Sequence, residues 1–295
     1  MEIARSGMIA VVGRPNAGKS TLINTLTGEK VAIVSDKPQT TRNRICAIVE
    51  RDGTQFVFMD TPGFHKAQSR LGEYMTEVVR QSLVDVDAAV LVVEPQARVG
   101  TPERMLLEGL EQGGVPVVLA VNKTDTVKKK NLLAVIAAYT EKHVFCAVVP
   151  ISAKTGEGTD ALIKELMPFM PEGPRLFPEG MTSDQPEKRI LSELIREKML
   201  MLLEREVPHG IAVEIEKFET DEKGVVHVGA VIVCDKESHK GIIIGKKGLM
   251  LKKIGQLARA DMERMLGVKV FLETWVKVKP NWRDDPMRLR DYGYQ

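Results

Sequence analysis

Cysteine is scarce in this 295-residue sequence: Cys46, Cys146 and Cys234 are odd in number, far apart and form no CxxC pair. A disulfide framework and a thiolate zinc site are therefore not expected, and a reducing, cytoplasmic compartment fits best. Long apolar runs are lacking as well. No stretch approaches the roughly 18 apolar residues of a membrane-spanning helix, and residues 1–7 lack the apolar core of a signal peptide, so neither a transmembrane segment nor export is expected. No solenoid repeat or low-complexity tract is present. An excess of one charge sign is also missing: the net charge of +2 by itself says nothing about a polyanionic partner.

The distribution of charge says more. Residues 240–279 hold ten Lys or Arg against three Asp or Glu, a balance of +7, whereas residues 175–239 hold nine against fourteen, a balance of −5. One stretch of the second half is thus a candidate footprint for nucleic acid. With 43% apolar and 28% charged residues, the chain can bury ordinary cores, and its length fits two domains better than one. Five prolines and two glycines between Pro168 and Pro186 mark the break. The expected division is a first domain over 1–168, a linker over 169–186, a second domain over 187–280 and a tail over 281–295.

In the first domain the apolar run 8–12 ends at Gly13, and 19–28 reads as a helix. Strand-like runs 44–50 and 54–60 flank Asp52-Gly53, a hairpin signal, and are expected to pair antiparallel. Apolar runs at 88–93, 115–121 and 144–151 then alternate with helical patterns near 70–84, 101–112, 128–142 and 157–167. This is the order of a doubly wound α/β sheet. In the second domain, Leu191, Leu194, Ile195, Met199 and Leu202 share one helical face. Strands at 211–218 and 225–233, a short helix, a glycine-bounded loop, a helix over 249–266 and a strand near 268–279 complete an α-β-β-α-α-β order.

Four motifs carry the chemistry of the first domain, each at the end of a predicted strand. Gly13 to Ser20 (GRPNAGKS) matches GxxxxGK[ST] between strand and helix. Backbone N–H groups of such a loop wrap phosphates, so Gly13, Asn16, Ala17, Gly18, Lys19, Ser20 and Thr21 are candidate nucleotide contacts. Lys19 supplies charge to the outer phosphates, and the Ser20 hydroxyl is a candidate Mg²⁺ ligand. In Asp60-Thr61-Pro62-Gly63, Asp60 reaches the Mg²⁺ shell, through water, and Gly63 offers an N–H to a γ-phosphate. In Asn122-Lys123-Thr124-Asp125, the Asp125 carboxylate is suited to accept from guanine's ring N–H and exocyclic amine, a donor pair that adenine lacks. Ser152-Ala153-Lys154 suits a loop whose backbone N–H reads the guanine oxygen. The nucleotide expected is GTP or GDP with Mg²⁺. The first domain here resembles the translation-factor-related GTPases over residues 7–167. That resemblance assigns a switch threonine to Thr41, with Thr40 the close alternative. It makes Asn16 a candidate ligand for K⁺, and Lys19, Thr41 and Gly63 transition-state or switch contacts. Where many small GTPases carry a water-orienting glutamine, this chain has Phe64, with His65 beside it as a candidate base. The water-positioning group is left unassigned.

In the second domain, Gly245-Lys246-Lys247-Gly248 lies between an apolar segment and a helix that carries Lys252 and Lys253. It looks like the GxxG loop of a KH domain, in which glycines admit a nucleic-acid backbone and the lysines face phosphates. The element order is that of the type II KH arrangement, and these six residues are the candidate RNA contacts. Trp275, Trp282, Tyr292 and Tyr294 are candidate stacking residues, although Trp275, inside a strand pattern, is better read as core.

GRPNAGKS, PQTTR, DTPG, NKTD and SAK followed by GKKG resemble the Era family along almost the whole chain. The resemblance implies a doubly wound P-loop GTPase sheet with one antiparallel hairpin, followed by an α+β type II KH domain. It implies slow hydrolysis of GTP, binding of small-subunit ribosomal RNA near its 3′ end, help in small-subunit maturation, and a candidate peripheral membrane contact. The alternative is an RNA-binding scaffold that binds GTP with little turnover, kept open by Phe64.

Overall fold

The computed structural model describes residues 3–63 and 69–294. It divides into two compact units, the first running to Asp184 except for residues 68–71, the second comprising those four residues and the chain from Gln185 onward.

In the first unit, β1 (Arg5–Val12), β2 (Ile45–Arg51), β3 (Thr54–Asp60), β4 (Ala88–Val93), β5 (Val117–Val121) and β6 (Ala147–Pro150) form one sheet in the order β2-β3-β1-β4-β5-β6. Only β2 and β3 pair antiparallel, from Ile45 opposite Asp60 to Arg51 opposite Thr54. Their turn, Asp52-Gly53, has φ of 49° and 71°, the two left-handed residues that a tight hairpin requires. The parallel strands β4 and β5 read AAVLVV and VVLAV and are buried throughout, because helices cover both faces. Those helices are α1 (Lys19–Thr27), α2 (Arg70–Gln81), α3 (Thr101–Gln112), α4 (Lys129–Thr140) and α5 (Thr159–Leu166). Two apolar cores result, one on each face: Ile9, Leu22, Phe58 and Leu162 belong to one, Val12, Leu91, Leu107 and Val135 to the other. The chain leaves β1 to build β2 and β3 on one side of it and then crosses from β3 to β4 on the other, so the loop after β1 lies where the strand order reverses and open α/β sheets bind ligands.

The proline-rich stretch forms no α-helix or multi-residue strand from Met170 to Pro186. It is nonetheless tied along the first unit as far as Asp184. Ile48 N–H donates to the Thr182 carbonyl at 3.0 Å, and Cys46 N–H donates to Asp184 Oδ1 at 3.0 Å. Gln55, fully buried, accepts from the Leu176 and Phe177 N–H groups at 2.8 and 2.9 Å. Proline-rich chain cannot pair with itself, so its polar groups are satisfied by the sheet edge beside it.

The second unit contains α6 (Glu187–Leu202), β7 (Ile211–Thr220), β8 (Val226–Cys234), α7 (Glu237–Ile244), α8 (Leu249–Leu266) and β9 (Val270–Val278). β7 and β8 run antiparallel with a bulge between Ile215 and Lys217, whereas β8 and β9 run parallel. Leu191, Ile195 and Met199 of α6 meet Ile254, Ala258 and Met262 of α8 over Ile232 and Val228 of the sheet.

The aromatic residues reverse their expected roles. Trp275 is 48% exposed, so it is not core, while Trp282 is fully buried and Tyr294 nearly so. Trp282 Nε1 donates to the Gly210 carbonyl at 3.1 Å, and its indole meets the rings of Tyr292 and Tyr294 at centroid distances of 5.6 and 6.0 Å. The segment expected to be a tail instead packs, and it includes a helix, α9 (Pro286–Asp291), capped by the Asp285 carboxylate.

Candidate functional site

The first unit carries a cleft of about 450 Å³ where the loop after β1 meets residues 33–41, and Lys19, Ser20, Gly63, Glu94 and Lys123 contribute to its wall. Gly18 has φ 98°, and a Cβ there would lie 2.2 Å from Asn122 Nδ2. Only glycine fits that position. Asn122, itself buried, donates through Nδ2 to the Ala17 carbonyl at 2.8 Å and accepts through Oδ1 from the Ala153 N–H at 2.9 Å. One side chain thereby joins the phosphate loop, the loop after β5 and the loop after β6.

Lys19 Nζ donates to the Gly13 and Arg14 carbonyls at 3.2 and 3.0 Å. Burial lowers its pKa to about 8, an effect the nearby Asp60 partly opposes. Asp60 is fully buried, and the loss of solvent raises its pKa despite Lys19 and hydrogen bonds from Ser20, Thr41 and Thr61. Ser20 Oγ donates to Asp60 Oδ2 at 2.7 Å, and the Thr41 hydroxyl lies 3.0 Å from Ser20 Oγ and 3.3 Å from the same carboxylate oxygen. Among the described residues Asp60 Oδ1 is buried with no hydrogen-bond partner. Three oxygen-bearing side chains with one unsatisfied anionic oxygen suit a hard divalent cation. Of the two threonines, Thr41 comes to this cluster; Thr40 donates instead to the Lys37 carbonyl at 2.6 Å. Asn16 Nδ2 donates to the Asp36 carbonyl at 2.5 Å, and Gly63 lies against the Pro15 backbone with no room for a Cβ. Thr21 follows Ser20 in the first turn of α1 and borders the same cleft.

Around the base-reading loops, Ser152 Oγ donates to Asp125 Oδ1 at 2.7 Å and so orients that carboxylate. Lys123, with φ 61°, forms an ion pair with Glu94 at the end of β4. Glu94 was not legible in the sequence, where nothing distinguishes it from any charged residue after a strand. Lys154 is exposed. Phe64 and His65 lie outside the described residues.

In the second unit, α7 ends at Gly245, and the loop continues through Lys246 and Lys247, both exposed, with Lys247 at φ 53°, into α8 at Leu249. A second cleft of about 360 Å³ runs from Gly248 along α8 past Leu251, Lys252, Gly255, Gln256 and Arg259 to Leu272 and Thr274 of β9. Lys253 is exposed but does not line it. The expected set therefore stopped short of Gln256 and Arg259. A helical period continued from Gly248 reaches both.

Residues 8–123 match the family described as 50S ribosome-binding GTPase, and residues 206–283 match the KH domain family. GTPase Era of Ruminiclostridium cellulolyticum is 48% identical over 291 residues, covering 99% of this chain and 98% of that protein. GTPase Era of Clostridioides difficile is 47% identical over 98% of each. The chain belongs to the Era GTPase family. It is accordingly a GTPase that binds guanine nucleotide, fused to a KH domain. Among solved structures, Era in complex with MgGDPNP and nucleotides 1506–1542 of 16S ribosomal RNA superposes with TM-score 0.95 at 38% identity, over 99% of both chains. Aquifex aeolicus Era bound to GDP and aluminium fluoride gives the same score and identity, over 98% of this chain and 99% of that one. Among the described residues no helix is long and apolar enough to cross a membrane, and no group of three or more His, Cys, Asp or Glu is arranged to hold a metal by itself.

Proposed function

We propose that this chain is a cytoplasmic, GTP-driven RNA-binding switch that engages small-subunit ribosomal RNA and assists assembly of that subunit. The observation that carries the reading is the presence in one chain of both clefts, one around Lys19 and Asp60 and the other bordered by Gly248, Lys252 and Arg259. The similarity to an Era that was solved with MgGDPNP and 16S ribosomal RNA supports it over the full length.

In the first unit, Gly13 to Thr21 wrap the phosphates and Lys19 neutralises the outer ones. Ser20 and Thr41 ligate Mg²⁺, with Asp60 acting on it through water; the ion supplies neutralisation of phosphate charge. The orphaned Asp60 Oδ1 is the acceptor such a shell would satisfy. Gly63 contacts the γ-phosphate, and Asn16, tied to the Asp36 carbonyl, keeps an amide oxygen for K⁺. Asp125 reads guanine while Ser152 holds it, Asn122 frames the loops, and Lys123, Ala153 and Lys154 close around the base. In the second unit, Gly245 to Gly248 admit the RNA backbone to the phosphate-facing Lys246 and Lys247, and Lys252, Lys253, Gln256 and Arg259 extend the track. The proposed division of labour follows the boundaries 1–168, 169–186, 187–280 and 281–295, with the last segment serving the second unit.

The test compares the parent with the Lys246→Asp, Lys247→Asp double variant. RNA affinity is measured with GDP and with a non-hydrolysable GTP analogue, alongside phosphate release with and without small subunits. RNA binding is expected to collapse in the double variant while GTP binding survives. Parental RNA affinities that are equal in both nucleotide states would remove the switch from this reading.

A further inference from the structure

The sheet of the second unit has a face that the RNA reading leaves unused. Along β9, Leu272 and Thr274 border the cleft beside α8, so the alternating residues Phe271, Glu273, Trp275 and Lys277 project to the opposite side. Phe271 is 51% exposed and Trp275 48% exposed, large aromatic surfaces for water to cover. Trp275 is held in place. It leans across Gly229 of β8, where a Cβ would lie 3.3 Å from the indole and 2.9 Å from Lys217 Cβ. Phe271 is braced by the His227 ring at 5.3 Å.

The charges around these rings decide what fits. Glu214, Glu216, Glu219 and Glu273 stand against Lys217 and Lys277, and both lysines are already engaged, Lys217 with Glu219 at 3.5 Å and Lys277 with Glu216 at 2.9 Å. Glu273, exposed between the two aromatic residues, makes no hydrogen bond or ion pair among the described residues, whereas Glu214 is half-buried beside Lys277 and Asp291. Exposed Lys269 and Lys279 stand at the two ends of this row, so the negative balance is confined to its middle around Glu273 and Trp275; there a phosphate backbone would meet carboxylates, and a second copy presenting the same patch would meet its own sign. A cation meets a carboxylate flanked by aromatic rings. Residues 271, 273 and 275 are spaced by about 6.6 Å per pair, the repeat of alternate residues in an extended chain.

We propose that this open face is a docking site for an extended, arginine- or lysine-rich protein segment, whose alternate cationic side chains lie over Phe271, Glu273 and Trp275. The aromatic rings act as anchors fixed before binding, and Glu273, exposed between them, supplies the partner charge. The site is independent of the RNA cleft, which lies on the other side of the sheet.

The probe is a ten-residue peptide of alternating arginine and serine, added to the full chain. Its matched counterparts are a glutamate-serine peptide and a single-stranded RNA decamer. Of the two tryptophans only Trp275 is exposed, so iodide quenching reports on this face. The arginine peptide is expected to bind saturably and shield Trp275. In calorimetry, Trp275→Ala should weaken it about tenfold and Glu273→Gln about fivefold. The Lys246→Asp, Lys247→Asp variant should bind it unchanged, which separates this site from the RNA cleft. Trp275→Tyr, which keeps an aromatic face, should retain most of the affinity and guards against misfolding as the cause. Binding within twofold of the parent for both Trp275→Ala and Glu273→Gln would overturn the proposal, as would shielding of Trp275 by the RNA decamer rather than by the peptide.

Discussion

Replacing Asn122 by alanine removes a side chain that bonds both the phosphate loop and the loop after β6. The Ala17 carbonyl loses its donor at 2.8 Å, and the Ala153 N–H loses its acceptor at 2.9 Å. Both contacts are buried, with Asn122 only 2% exposed, so water cannot replace the amide without opening the site. Each stranded backbone group costs about 1–3 kcal/mol, so the two together make a loss of about 2–6 kcal/mol. In a unit of this size each kcal/mol moves the melting temperature by about 2–4 °C, so a fall of roughly 4–24 °C is expected. Calorimetry of the full chain is the assay, and tryptophan fluorescence is its internal control. Both tryptophans, Trp275 and Trp282, lie in the second unit, so the fluorescence transition should stay in place while the first unit's transition falls. GDP affinity should fall with it, and saturating GDP should restore part of the lost stability by mass action. A first-unit transition within about 2 °C of the parent, or an equal shift in the fluorescence transition, would refute the reasoning.

Asp125→Asn replaces an acceptor pair by one acceptor and one donor; the Ser152 hydroxyl, which donates to Oδ1 at 2.7 Å, keeps the amide oxygen as its acceptor and so turns the amide nitrogen toward the base. GTP should weaken and xanthosine triphosphate gain, read in a competition assay. Lys19, with its pKa lowered by burial to about 8, is half-deprotonated in the free chain near that pH. Binding of MgGDP should take up about half a proton at pH 8, measured by calorimetry in buffers of different ionisation enthalpy, and affinity should decline as pH rises further. The sign for folding is the opposite: because the unfolded lysine holds its proton to a higher pH, the destabilising burial of charged Lys19 is relieved as pH climbs above about 8. Trp282→Ala leaves a cavity and removes the donor from the Gly210 carbonyl, so the second unit should lose about 3–5 kcal/mol, seen in denaturant unfolding, while GDP binding is unchanged.

Chemistry carried by contiguous residues was legible before any coordinates. GRPNAGKS, DTPG, NKTD, SAK and GKKG each need a particular backbone path and particular side chains within a few positions, so local sequence is enough to place them on loops between strand and helix. The fully apolar runs of β4 and β5 likewise announced strands covered on both faces. The two switch threonines were harder. Neighbouring residues with the same side chain differ only in which way the backbone points them, and only the folded loop sends Thr41 to Ser20 and Asp60 and Thr40 to Lys37.

The tryptophans show the limit most plainly. Along β9, apolar residues occupy both faces, Phe271 and Trp275 on one and Leu272 and Val276 on the other, so alternation cannot tell which face is covered. The helices α6 and α8 cover one of them, while Trp282, in a stretch that reads as a tail, is buried against Gly210. The sequence by itself determined the fold class, the guanine-nucleotide chemistry and the lysine-bearing loop, because each rests on residues adjacent in the chain. Tertiary structure alone decided that Asn122 joins loops 105 and 31 residues away, that the second cleft extends to Gln256, Arg259 and Thr274, and that Trp275 faces solvent. Those outcomes depend on which surfaces meet after the chain has folded, and residue order carries no direct record of such meetings.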